Sequence, residues 1–287
     1  MKIIRTLLFT ALVLLTSGCG TTNTVPITGR KTHLLVDDAQ ILSLSTQQYQ
    51  DYMKSAKLST NQSNTAMVKR VGQRLATAVE SYLTNNGYAS EVQNFQWEFN
   101  LVANNQANAF CMPGGKIVVY EGMLPVTQDE ASLAIVLGHE IAHAVAKHSA
   151  EQLSKQTRQQ YAAKLGGTLL AGLSNKIGSN TAALLDMVAQ TGFNFANLKY
   201  SRDNETEADH LGLIFAALAG YDPQVAITFW QRMAQSSTTK TSELFSDHPS
   251  DEKRIAELQR RMPEALSYYK PVTSAPATKG TTTTKKK

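Results

Sequence analysis

Between residues 64 and 83 the apolar side chains Met67, Val71, Leu75 and Val79 recur every fourth position, the spacing of one helical face, and Asn85-Asn86-Gly87 supplies a stop. The period then changes. Phe95, Trp97, Phe99 and Leu101 alternate with polar residues as in a half-buried strand, and Lys116 to Tyr120 (KIVVY) is a second β-rich run behind the turn signal Pro113-Gly114-Gly115. Residues 38–54 read as a weakly amphipathic helix. Residues 131–146 are apolar nearly throughout, which suits a buried helix, with Thr127 and Glu130 spaced as a capping box and Asp129 and Glu130 as first-turn acids. Residues 165–173 are apolar and glycine-rich, too short for a membrane span and suited to close packing, and 180–196 is another helix candidate. A helix over 203–219 is stopped by Gly220, Tyr221-Asp222-Pro223 opens the next to about Gln235, and 251–262 is a last, charged amphipathic helix. Many helices and one small sheet predict an α+β, mostly helical chain.

The apolar stretch carries Gly138-His139-Glu140-Ile141-Ala142-His143, an HExxH sequence. On a helix, His139 and His143 stand about 6 Å apart along the axis and about 40° around it, so both imidazoles can converge on one ion. Histidines on a buried helix need partners, and a metal is one. Glu140, one residue round, can reach a water on that metal and accept its proton. This is metallopeptidase chemistry.

Catalytic zinc sites usually take three protein ligands and keep one position open. Cys111 is one candidate for the third. His148 would point about 140° away from His143 on a continuous helix, which suits packing or support of a ligand better than ligation. Glu205 and Asp209, at i and i+4 on one helix face, are better placed: one can bind the metal while the other accepts the free N–H of a ligating histidine. Glu207 lies about 200° round that helix from Glu205 and is not expected to ligate.

Over roughly residues 25 to 262 the chain resembles the gluzincin metallopeptidases related to the CAAX prenyl endopeptidase and the mitochondrial overlapping-activity protease. The resemblance rests on VPITGRK, NAFCMPGGKIVVYEGML, HEIAH with AKHSAEQ after it, SRDNETEADHLG, AGYDP and HPSDEKR, in that order. It implies a zincin-like domain with a small sheet and a long HExxH helix. It also implies one zinc ion per chain on His139, His143 and Glu205, with Asp209 as the companion of the site and Glu140 as catalytic base. His248, in the His-Pro pattern, would face the metal across the cleft, either as a hydrogen-bond donor to the oxyanion or as an inhibitory ligand.

The chain has 287 residues, 42 % hydrophobic and 18 % charged, enough for one sizeable domain. Its net charge of +5 is concentrated at the ends, on Lys2, Arg5, Lys279, Lys285, Lys286 and Lys287, so the body is near neutral and nucleic-acid binding is not expected. Residues 1–18 read as an export signal, and Leu15-Thr16-Ser17-Gly18-Cys19 resembles the bacterial lipobox, with Leu four rather than three places before the cysteine. Acylation at Cys19 would anchor the chain to a membrane through a tether over 19–32, and Gly20 in place of Asp points to the outer membrane. The metallopeptidase domain would then span 33–268, followed by a disordered Thr/Lys-rich tail over 269–287. With Cys19 acylated, Cys111 has no disulfide partner.

The expected function is a zinc endopeptidase of the bacterial envelope, facing the periplasm and acting on unfolded or misassembled proteins. KIVVY would receive the extended substrate as an added strand. The competing class is a holdase or scaffold lipoprotein with a structural or latent zinc site.

Overall fold

The computed structural model describes residues 21–165, 188–236 and 252–271. The leader, Cys19, residues 166–173 and 180–187 of the two runs, His248 and the tail from 272 lie outside the described residues. The elements in chain order are β1 (Thr21–Thr24), β2 (Lys31–Leu34), α1 (Asp38–Ser55), α2 (Gln62–Asn85), β3 (Glu98–Val102), β4 (Ala109–Met112), β5 (Lys116–Tyr120), α3 (Glu130–Val145), α4 (His148–Leu165), α5 (Arg202–Leu218), α6 (Val225–Ser236) and α7 (Glu252–Tyr268). Single-turn helices join some of them.

The sheet runs in the order β3-β5-β4, with β5 parallel to β3 and antiparallel to β4. Successive β5 residues serve opposite faces, as the two-residue period of a strand requires. Ile117 and Val119 join a core with Val71 and Leu75 of α2, Leu137 of α3 and Phe215 of α5, while Val118 and Tyr120 join a second core with Ile41 of α1 and Leu153 of α4. Helices therefore cover both faces. The stripe that α2 buries is Val68, Val71, Leu75, Val79 and Leu83. Each such aliphatic side chain contributes roughly 2 kcal/mol by leaving water.

Four expectations change. The central position of β5 leaves KIVVY no free edge, because its backbone is paired on both sides. The edge strand on the side of α3 is β4, and no strand pairs with its outer side among the described residues.

Residues 21 onward are not a tether. Thr21–Thr24 and Lys31–Leu34 pair as a hairpin, Val25 is fully buried, and its N–H donates to Arg30 O at 2.8 Å. Pro26 and Gly29 lie in the turn of this hairpin, with Gly29 at φ 67°.

The cap of α3 is Asp129, which accepts from Ser132 N–H at 2.7 Å, whereas the Thr127 hydroxyl donates to Leu124 O within a preceding single turn. Helix α7 continues past Met262 to Tyr268 with Pro263 inside it.

Candidate metal centre

Helix α3 is apolar because it runs through the core with most of its side chains out of water, and this rigidity fixes the two histidines it carries. His139 Nε2 and His143 Nε2 lie 3.1 Å apart. Helix α5 crosses α3 and brings in Glu205, whose Oε2 is 3.3 Å from His139 Nε2 and whose Oε1 is 3.4 Å from His143 Nε2. A tetrahedral zinc ion with bonds of about 2.0–2.1 Å sets its ligand atoms roughly 3.3–3.4 Å apart, so this donor set has the right chemistry and spacing. His139, His143 and Glu205 form a possible metal site.

The crossing is close because both helices present glycine. A Cβ built on Gly212 would lie 2.8 Å from His139 N, and one on Gly138 would lie 2.9 Å from Gly212 O. Gly212→Ala should therefore push α5 away from α3 and carry Glu205 out of register with the histidines. We expect at least about a tenfold fall in metal affinity with helical content preserved, since displacements near 1 Å at such sites are costly. Metal titration beside circular dichroism checks this, and an undiminished affinity would refute a tight crossing.

Asp209 stands where the i, i+4 spacing puts it, with Oδ1 2.9 Å from His139 Nδ1. Arg254 of α7 donates to the same oxygen at 2.6 Å and stacks over Trp230, 3.4 Å from the ring centre. Burial works against a charge on His139, but the carboxylates of Asp209 and Glu205 outweigh it and raise its pKa to about 9. The pocket thus attracts positive charge. His143 is pushed down, first by burial and then by its histidine neighbours, which keeps it in the neutral form that ligates metals.

His148 does not continue the helix of His143. Lys147 adopts φ 58°, the chain turns, and a new helix starts at His148, whose Nδ1 comes within 2.9 Å of His143 Nδ1. The reading of His148 as a support for a ligand fits this contact, although the continuous helix assumed for its direction does not exist. Glu207 stays out of the ligand set and sits 2.9 Å from His148 Nε2.

Glu140 is buried and opens on a cleft lined by Asn108 to Cys111 on one side and by Phe195, Ala196, Leu198 and Tyr200 on the other. Cys111 is free and buried in β4, with its thiol pushed up by burial and then by the charge of Glu140. It is not in the ligand set. Tyr200 stacks on His143 with ring centres 4.0 Å apart, and its hydroxyl lies 2.8 Å from Ser149 Oγ.

Sequence reasoning gives Tyr200 and Arg254 no role, although each stands in or beside a recognised motif, SRDNETEADHLG and HPSDEKR. The signal was their position rather than their type.

Residues 62–262 match peptidase family M48. The chain is 37 % identical over 182 residues to the mitochondrial metalloendopeptidase OMA1 of Schizosaccharomyces pombe, covering 61 % of this chain and 50 % of that protein. It is 31 % identical over 247 residues to human metalloendopeptidase OMA1, covering 84 % of this chain and 46 % of the relative. Against the beta-barrel assembly-enhancing protease of Escherichia coli it is 27 % identical over 244 residues, covering 83 % and 47 %. The chain spans about half the length of these curated relatives.

Proposed function

The chain belongs to peptidase family M48, and from that premise we propose that it is a zinc metalloendopeptidase. In this reading His139, His143 and Glu205 hold one ion and Glu140 moves the proton. The observation that carries it is the near-tetrahedral spacing of three donor atoms beside the buried Glu140, which lines a small pocket with β4 and Tyr200.

When bound, zinc supplies a water of pKa near ~7 and polarises the scissile carbonyl. The protein does the rest. Glu140 accepts the proton of the attacking water and returns it to the leaving amine. Asp209 holds His139 by its Nδ1 so that Nε2 faces the ion. Among the described residues no strand pairs with the outer side of β4, and in this reading that edge takes an extended peptide through its backbone groups, so recognition depends on main chain more than on side chains and favours unfolded segments.

The name of the Escherichia coli relative ties that protein to β-barrel assembly. Together with the lipobox-like sequence at Cys19, this supports an envelope role in removing misassembled proteins. No helix among the described residues is long and apolar enough to cross a membrane. In this reading the anchor is Cys19. A Cys19→Ser protein should leave the membrane fraction, and its retention there would overturn the anchor.

The activity itself is tested on casein. Cleavage should stop with a zinc chelator and return with added zinc. A protein that binds unfolded casein with zinc present but never cuts it would be a holdase instead.

A further inference from the structure

The motif VPITGRK, which opens the resemblance, has no part in the chemistry above. Its residues converge on Glu207. Thr28 Oγ1 donates to Glu207 Oε1 at 2.6 Å and Arg30 Nε to Glu207 Oε2 at 2.7 Å, while the other Arg30 nitrogens reach Glu151 at 3.2 and 3.0 Å. Glu207 Oε2 also lies 2.9 Å from His148 Nε2, and His148 Nδ1 lies 2.9 Å from His143 Nδ1. We infer that the N-terminal hairpin is a working part of the metal centre: Arg30 and Thr28 hold Glu207, which through His148 sets the proton position on the ligand His143. The inference rests on the metal reading proposed above.

The hydrogen-bond chain has one consistent assignment. His143 Nε2 belongs to the donor set, so its lone pair must be free and its proton must sit on Nδ1. That N–H faces His148 Nδ1, which must accept. The His148 proton is therefore on Nε2, aimed at Glu207, and an ionised carboxylate can only accept it. Thr28 donates to one Glu207 oxygen and the Arg30 guanidinium to the other, so the carboxylate is surrounded by donors that call for its ionised form.

Without Glu207, His148 can carry its proton on Nδ1. Two N–H groups would then meet 2.9 Å apart and force His143 off the ion. Behind each ligand imidazole stands a carboxylate held by an arginine, directly for His139 with Asp209 and Arg254, and through His148 for His143 with Glu207 and Arg30. Arg30, Glu207 and His148 are positioning residues.

The test uses the full chain labelled with 15N-histidine and loaded with zinc. Stoichiometric zinc in the unaltered protein checks the metal reading separately, before any variant is compared. The nitrogen spectra should show the proton on His143 Nδ1 and His148 Nε2. Glu207→Leu should weaken zinc binding by about 10–100-fold. Arg30→Met should weaken it less, and Arg30→Lys should recover part of that loss.

Lys31→Ala, at an exposed position of the same hairpin, removes a positive charge without touching Glu207 and should change zinc affinity by less than about twofold. A proton on His148 Nδ1 in the unaltered protein would overturn the inference. So would a zinc loss in Lys31→Ala equal to that in Arg30→Met at matched thermal stability. If Glu207→Leu does not fold, the spectra of the unaltered protein and the two Arg30 variants decide.

Discussion

Glu140→Gln is expected to lower peptide hydrolysis by about 10²–10⁴-fold, the contribution typical of a general base, while zinc content and thermal stability stay as in the unaltered protein. Glutamine keeps the length and shape of the side chain but cannot take a proton. Glu140 is buried on α3 between the two ligand histidines in sequence and faces the cleft with Tyr200 and the β4 residues, so an isosteric change there disturbs little packing. The measurement is single-turnover cleavage of a labelled unfolded polypeptide, with metal analysis on the same preparation. Full activity in a zinc-loaded Glu140→Gln protein would refute the mechanism.

Glu205→Ala should abolish stoichiometric zinc and hydrolysis together. Its two oxygens lie within 3.4 Å of the two histidine nitrogens, so the substitution removes one of the three candidate donors and one of the two carboxylates beside His139. We expect at least about a 10²-fold loss of zinc affinity, since even partners that only orient a ligand contribute 10–100-fold. Competition with a chromophoric chelator gives the affinity directly. Retained zinc at one ion per chain would move the third ligand elsewhere.

Where the chain repeats with a clean period, sequence and structure agree. The fourfold spacing of α2 comes out where the pattern places it because one face dominates its packing, and KIVVY, buried on both faces, is legible from its β-branched run behind a turn signal. Strand β4 does not show itself. All four of its residues are buried, so Ala109-Phe110-Cys111-Met112 has no alternation to read.

The hairpin is hidden for the opposite reason. Its strands are short and polar, and most of what holds it comes from Val25 packing and from Arg30, whose partner Glu207 lies 177 residues away. HExxH announces itself because both histidines and the base belong to one helical turn. Arg254 and Tyr200 act only across the fold, on residues that no local spacing connects to them.

That long-range closure bears on how the molecule is made. Thr28 meets Glu207 across 179 residues, and Arg254 meets Asp209 across 45. Contacts so distant form late, because loops must close before they are rewarded. During synthesis the HExxH helix leaves the ribosome well before α5, and α7 follows last. A nascent chain therefore carries both histidines long before it has Glu205, and it has Glu205 before Arg254 can dock. The candidate metal centre is thus completed in chain order, and a chain that ends before α5 carries only two of its three candidate donors.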